Sequence, residues 1–111
     1  MATQVEQVAA TQQRQNLPKE WLMEFDDWAN STLQGFADDE RVNKDWRAYA
    51  RWELEYRRAF GHIALLHPET GALLRVNTRD TAAAAAAFAE IEAAEARVKA
   101  RAAEIRARNA A

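Results

Sequence analysis

HIALLHPETGALLRVN, residues 62–77, decides the fold class of this chain of 111 residues. Two short runs of bulky apolar side chains flank residues 68–71, which begin with proline and end with glycine as tight turns do. This pattern predicts a β-hairpin. Because the segments on both sides have helical periodicity, we expect a mainly helical α+β fold: two amphipathic helices, the hairpin and a long C-terminal helix.

The turn also predicts the register of the hairpin. A four-residue loop places His67 opposite Ala72. The next pairs on the same face are Leu65 with Leu74 and Ile63 with Val76. Since alternate residues of a strand share a face, these four side chains form one apolar surface. We expect the aromatic faces of the two preceding helices to pack on this surface and on the Phe88 end of the last helix.

Two amphipathic helices are predicted before the hairpin, over residues 18–34 and 38–60. Pro18 suits a first helical turn, and Gly35 suits the left-handed position that ends a helix. Asp38 is the expected N-cap of the second helix and Gly61 its stop. Apolar side chains recur on one face of each helix. The largest are Trp21, Phe25 and Trp28 in the first, with Phe36 just beyond its end, and Trp46, Tyr49, Trp52, Tyr56 and Phe60 in the second.

A long helix is predicted over residues 79–109, with Thr78 or Asp80 as its cap. The alanine tract at residues 82–87 has the highest intrinsic helix propensity. A helix of about 28 residues extends about 42 Å at 1.5 Å per residue. That is longer than the other elements can cover, so part of it is expected to project or to pack on another copy.

Residues 1–16 are predicted to form a polar arm outside a single α+β domain at 17–111. The arm is rich in glutamine, and only Val5 and Val8 are sizeable apolar groups in it. Such a segment buries too little surface to offset the entropy of ordering. We expect it to be mobile in solution and to serve binding, not folding.

Composition excludes several classes of protein. The chain has no cysteine, so disulfides, thiolate metal sites and cysteine nucleophiles are excluded. It contains neither the apolar run of a secretory signal nor about 18 consecutive apolar residues. We therefore expect no membrane association and a cytoplasmic location, or a place in a virion assembled in the cytoplasm.

No catalytic residue, metal ligand, cofactor site or small-molecule substrate is predicted. His62 and His67 are the only histidines, too few for a histidine zinc site. Glu53 lies within the aromatic arc of its helix and could act as an acid or base. Arg57 follows one turn later, however, which favours a structural ion pair. The carboxylates of Glu20, Glu24 and Asp27 share one helix face, which we expect to be exposed to solvent.

Basic side chains give candidate contacts to phosphate or to an acidic partner. They fall on two predicted helices and comprise Lys44, Arg47, Arg51, Arg58, Arg97 and Arg101. Glu55 and Glu104 interrupt them, and the formal net charge of the chain is −2. Nucleic-acid binding is therefore possible in principle but not favoured.

Three apolar residues are candidate contacts to a protein partner. Trp52 lies at the edge of its helical arc and could be an exposed anchor. Val98 and Ile105 continue a weak heptad pattern along the last helix. We therefore expect a non-enzymatic interaction or assembly protein, of the kind encoded by phages or built into a larger particle, with self-association or a protein partner. The alternative is a small regulator whose basic helix faces bind either nucleic acid or an enzyme that acts on nucleic acid.

Overall fold

The computed structural model describes residues 3–110, which form five helices and one two-stranded antiparallel sheet. In chain order these elements are α1 (Gln4–Gln15), α2 (Lys19–Phe25), α3 (Asn30–Asp38), α4 (Lys44–Phe60), β1 (His62–Leu66), β2 (Leu73–Asn77) and α5 (Thr81–Ala110). The predicted class, mainly helical α+β with a hairpin before a long C-terminal helix, is confirmed.

The hairpin has the predicted register. Ile63 is paired with Val76 and Leu65 with Leu74. Beyond the strands, the N–H of His67 donates to the carbonyl of Ala72 at 2.9 Å. At the end of the turn Gly71 has a φ of +73°, in the left-handed region that glycine adopts most readily. Local turn chemistry therefore determines the pairing.

The predicted helix at 18–34 is wrong, because the chain turns between α2 and α3. Helix α2 ends at Phe25, and α3 runs through Gly35 to Asp38. The break lets the rings fold onto one another: the Trp28 and Phe36 centroids lie 5.2 Å apart. Aromatic packing and the arginine contacts described below outweigh the continuous periodicity of the segment.

The predicted start at Asp38 for the next helix is also wrong. Helix α4 begins at Lys44, after Asn43, whose Oδ1 accepts from the N–H of Asp45 at 2.8 Å. Asp38 instead closes α3. The predicted stop is confirmed, because Gly61 ends α4 with a φ of +73°.

The long helix α5 starts close to the predicted position. Of the two predicted caps, Asp80 is the one used, since its Oδ1 accepts from the N–H of Ala83 at 3.1 Å. The helix extends for 30 residues, or about 45 Å. None of the helices in the described part of the chain is both long and apolar enough to span a membrane.

The expectation of a mobile N-terminal arm is wrong for the residues described, because they form helix α1 on the surface of α4. Thr3 caps it, accepting from the N–H of Glu6 at 3.1 Å. Ala10 is 2% exposed, and Gln7 donates to the carbonyl of Ala59 at 3.1 Å. A small side chain at the contact and polar side chains with partners hold the helix without large apolar groups. Met1 and Ala2 lie outside the described residues.

The main core lies between α2, α3 and α4, and not on the hairpin as expected. Its buried members are Leu17, Phe25, Leu33, Ala37 and Ala50, with Trp21, Leu22, Trp28, Phe36, Tyr49, Trp52 and Leu54 packed around them. The Trp21 and Trp46 rings, from α2 and α4, are 5.2 Å apart. The aromatic side chains thus pack against one another, and a different element covers the apolar face of the hairpin.

That other element is α5, which packs chiefly on β2. His67 shares a strand face with Leu65 and Ile63, and its Nε2 lies 3.2 Å from Glu90 of α5. The apolar face of the hairpin therefore turns toward α5, and its side chains are only half-buried there. The reason is that α5 presents mainly alanine to it.

A buried ion network joins the helices to the hairpin. Glu53 is 2% exposed and Arg57 5% exposed. The Glu53 carboxylate accepts from Arg57 Nε at 3.2 Å and from Arg14 Nε at 2.9 Å. Arg57 also donates to the carbonyls of Phe25 and Trp28 at 2.7 and 2.8 Å, which lie in the break between α2 and α3.

Asn30 extends this network to the strands. Its Oδ1 accepts from Arg57 Nη1 at 2.8 Å and from the N–H of Ala64 at 3.0 Å. The second contact gives a partner to an N–H on the outer edge of β1. Within residues 3–110, no other strand pairs with that edge. One arginine and one asparagine therefore fix the positions of α2, α3, α4 and β1.

We predict that Glu53→Gln lowers the free energy of unfolding by about 3–5 kcal/mol, because it leaves the buried Arg57 without its counter-charge. Equilibrium urea denaturation measures the change. The matched control is Glu55→Gln, which removes the same charge from α4 at a half-exposed pair with Arg58 and should have a much smaller effect. Equal losses in the two variants would contradict the central role of the buried network.

Candidate functional site

A cleft of about 490 Å³ opens between the buried network and the hairpin. It is lined by Arg14, Asp26, Glu53, Tyr56, Arg57, His62, Ile63, Ala64, Arg75, Val76 and Asn77. We call it the arginine cleft, after its three arginines. Cavities of this size are common at small-molecule sites, where apolar walls carry a few convergent polar groups.

Arg14 is held in the wall of the arginine cleft by three contacts. Its Nε donates to Glu53, its Nη2 donates to Asp26 Oδ1 at 2.8 Å, and its guanidinium carbon lies 4.6 Å from the centre of the Tyr56 ring. Burial acts to lower the pKa of Arg14, but the hydrogen bond that Arg14 donates to Glu53 and the nearby carboxylates outweigh it and raise that pKa. Arg14 is therefore a fixed positive charge.

Arg75 forms the rim of the cleft. Its side chain is 60% exposed, and its Nη2 donates to the backbone carbonyl of Asp26 at 2.6 Å. A longer contact of 3.5 Å joins the same nitrogen to Asp27. The hairpin and the turn after α2 are thus bridged across the mouth of the cleft.

Glu53, the one acid–base candidate of the sequence, lies on the floor of the cleft. Both of its oxygens already accept from guanidinium groups. A carboxylate occupied in this way is placed to neutralise Arg14 and Arg57, which supports the structural ion pair favoured by the sequence. The addition of Arg14 from α1 was not expected.

A second cluster joins the hairpin turn to α5. Ligand-type atoms of His67, Glu69 and Glu90 lie within 4.8 Å of one another. The Nδ1 of His67 faces the N–H groups of Glu69 and Thr70 at 3.2 and 3.3 Å. Nδ1 is therefore the acceptor, and the ring proton is assigned to Nε2, which faces Glu90. The imidazole has no nitrogen left for a metal ion.

The carboxylates of this cluster are occupied by arginines. Glu69 is 2.7 Å from Arg97 and 2.8 Å from Arg101, and Arg97 is 2.9 Å from Glu90. The bond to Arg97 lowers the pKa of Glu69. The bond to His67, followed by that to Arg97, lowers the pKa of Glu90. The cluster is best described as an ionic clamp between the turn and α5.

The structure separates the basic residues that the sequence grouped as phosphate contacts. Arg97 and Arg101 belong to the ionic clamp, and Arg58 pairs with Glu55 and Glu6. Arg51 donates to the carbonyl of Ala37 at 3.0 Å. Lys44 is exposed near the start of α4, and Arg47 is half-buried beside it. These six side chains do not form one continuous positive surface, and none of them lines the arginine cleft.

The sequence pointed to Glu53 and Arg57 but not to the other two arginines of the cleft, Arg14 and Arg75. Arg14 belongs to the segment that was predicted to be a mobile arm. Arg75 belongs to a strand that was predicted only from its apolar neighbours, Leu74 and Val76. The only indication available was a polar residue inside an apolar helical arc, Glu53, which calls for a buried positive partner. The sequence offered Arg57 as that partner but gave no way to place Arg14.

The three predicted partner contacts differ in exposure. Trp52 is half-buried, packs against the main core and lies 5.6 Å from the Tyr49 ring. It is therefore a core side chain and not an exposed anchor. Val98 and Ile105 are 38% and 49% exposed, as a contact surface for a partner would require.

Val98 and Ile105 continue the same helical stripe that packs on the hairpin. The stripe repeats at intervals of three and four residues and consists of Ala84, Ala87, Ile91, Ala94, Val98, Ala102 and Ile105. Ala84 and Ala94 are buried, at 8% and 0% exposure. The hairpin thus covers the first part of the stripe, and the pair between Glu69 and Arg101 marks the end of its reach.

The molecule is elongated, and the end of α5 beyond Arg101 contributes to this shape. Its principal extents are 58, 38 and 19 Å, and the radius of gyration is 17.1 Å. A compact domain of this length has a radius of gyration of about 13 Å. Residues 102–110 add about 13 Å of helix past the last ion pair, and most of their side chains are exposed.

Comparison with known proteins does not identify a relative. No family model matches the sequence, and no curated protein or solved structure is significantly similar to it. The arginine cleft and the exposed part of the α5 stripe are therefore the two candidate functional surfaces.

We predict that the ionic clamp loosens in acid. A carboxylate with a lowered pKa stabilises the folded contact above its ordinary value, 4.5 for Glu69 and Glu90. That contribution is lost as the pH falls through the lowered pKa. NMR titration of the side-chain carboxyls should give midpoints below 4.5 for both residues, and Arg97→Gln should raise that of Glu69. Arg106→Gln is the control, and an equal shift in it would contradict the assignment to Arg97.

Proposed function

We propose that this chain is a non-enzymatic interaction or assembly protein, which packs the exposed part of its α5 stripe on a helix of a second protein chain. The supporting observation is that one apolar stripe begins under the hairpin and continues beyond it. Val98 and Ile105 lie on the part without a cover. An isolated helix end of this kind is marginal in water, and a partner would stabilise it.

The charges along α5 and its projecting end support the same proposal. The basic side chains of residues 97–108 outnumber the acidic ones, whereas residues 90–95 carry three glutamates. A partner helix that packs on the exposed part of the stripe would lie beside mainly basic side chains, so acidic side chains on the partner would be complementary to it. A subunit of a larger particle, assembled in the cytoplasm, fits a protein with a projecting helix of this type.

Nucleic-acid binding through the basic helix faces has less support. Arg58, Arg97 and Arg101 are engaged by carboxylates, and Arg51 by a backbone carbonyl. Phosphate contacts would have to replace these bonds. Binding of this kind falls steeply with salt concentration, so a salt titration of any complex distinguishes it from apolar packing of helices.

We predict that the double substitution Val98→Asp and Ile105→Asp abolishes association, because it places two charges on the apolar stripe. Native mass spectrometry and sedimentation at increasing protein concentration measure the oligomeric state. Hydrogen exchange near Ile105 should be fast in the dilute monomer and slower in the assembly. The same double variant should remove that protection while leaving the main core intact.

The matched control is Ala96→Asp with Ala103→Asp. Both positions are exposed and lie on the opposite side of α5. The control variant therefore introduces the same two charges, also seven residues apart, away from the apolar stripe. This control should associate as the native chain does. A native monomer with slow exchange at Ile105 at every concentration, and no partner-dependent change, would overturn the proposal.

A further inference from the structure

The arginine cleft is richer in hydrogen-bond donors than in acceptors. Within residues 3–110, Arg14 Nη1, the Tyr56 hydroxyl, and the Nε and Nη1 of Arg75 donate to no protein atom, whereas the Nε of Arg14 and the Nη2 groups of both arginines do. Both oxygens of Glu53 and one oxygen of Asp26 already accept. Donors without partners in a cleft are what an oxyanion requires.

The net charge of the residues that line the arginine cleft also favours an anion. Three arginines and two carboxylates line it, which leaves one positive charge in excess among the lining residues. Asp27, outside the lining and 86% exposed, lies 3.5 Å from Arg75. The excess charge lies beside the Tyr56 ring and the small side chain of Ala64. Apolar walls lower the local dielectric constant and strengthen the attraction between a guanidinium group and an anion.

The floor of the cleft is already rigid before any ligand binds. Arg57 is saturated by Glu53, by Asn30 and by two backbone carbonyls. Arg14 is fixed by Glu53, Asp26 and the face of Tyr56. A preorganised site loses little side-chain entropy on binding. With about 490 Å³ of space, the cleft has room for an anionic group attached to a small organic body.

We propose that the arginine cleft binds a small organic anion. Its carboxylate or phosphate group lies between Arg14 and Arg75, and its body contacts Tyr56, His62 and Ala64. This site is separate from the α5 stripe, so its occupation does not depend on association through that helix. The cleft lies where α1, α4 and the hairpin meet, and the bound anion contacts all three through Arg14, Tyr56 and Arg75.

The test is a titration of isotope-labelled protein with phenyl phosphate, and in parallel with benzoate, at constant ionic strength in chloride buffer. At least one of the two should give saturable NMR shifts of the backbone amides of Ile63, Ala64 and Val76. Binding of both identifies a general oxyanion site, and binding of one identifies the preferred head group. Saturable shifts with neither compound in the millimolar range would overturn the proposal.

Two variants assign the binding to the cleft. Arg75→Gln removes the exposed cationic wall without touching the buried network and should weaken binding about tenfold, as expected for one charge-assisted contact. Asn77→Asp adds a negative charge to the wall, and its carboxylate can still accept from the N–H of Arg79 as Asn77 does at 3.0 Å. It should also weaken binding severalfold.

Lys44→Gln is the matched control, because it removes one exposed positive charge outside the cleft, at the start of α4. It should leave the affinity unchanged. If Lys44→Gln weakens binding as much as Arg75→Gln does, or if Arg75→Gln and Asn77→Asp both bind normally, the anion lies elsewhere and the cleft proposal is wrong. The thermal midpoint of each variant without ligand verifies that all of them are folded.

Discussion

The buried carboxylate of Glu53 is the constraint on which the rest of the structure depends. A charge taken out of water is costly unless it is paired and its hydrogen-bonding positions are filled. Arg57 and Arg14 fill those positions on Glu53. Each arginine in turn requires acceptors, and these come from the carbonyls after α2 and from Asn30 and Asp26. One buried charge thereby determines the placement of four helices and an edge strand.

This arrangement creates two surfaces with different chemistry. The helices and the hairpin meet around the polar network, and the space left between them is a cleft with positive walls. The hairpin also covers the first part of α5, chiefly through alanine, and the ionic clamp attaches its turn to Arg97 and Arg101. The helix continues past that attachment with an apolar stripe. The cleft suits a small anion, and the stripe suits a protein helix.

The sequence by itself determined the features that local physics controls. A proline and a glycine at the ends of a four-residue turn fixed the register of the hairpin, because turn length and strand alternation leave one pairing with a common apolar face. Gly61 ended α4 since only a left-handed residue suits that position. The alanine tract gave the last helix, and the sequence identified Val98 and Ile105 as a possible contact surface from their spacing.

Only the tertiary structure decided where the first helices break, how residues 3–16 are placed and where a cleft forms. The periodicity of residues 18–34 is continuous, but the unpaired carbonyls of a break at Phe25 are satisfied by Arg57, which lies 32 residues further along the chain. Helix α1 is held by a small contact residue and by polar bonds to distant groups, so a count of large apolar side chains could not find it. The arginine cleft combines Arg14, Arg57 and Arg75, three residues that share neither a helix face nor a strand. Contacts between residues far apart in the chain depend on the folded path, and local propensity and spacing carry no information about that path.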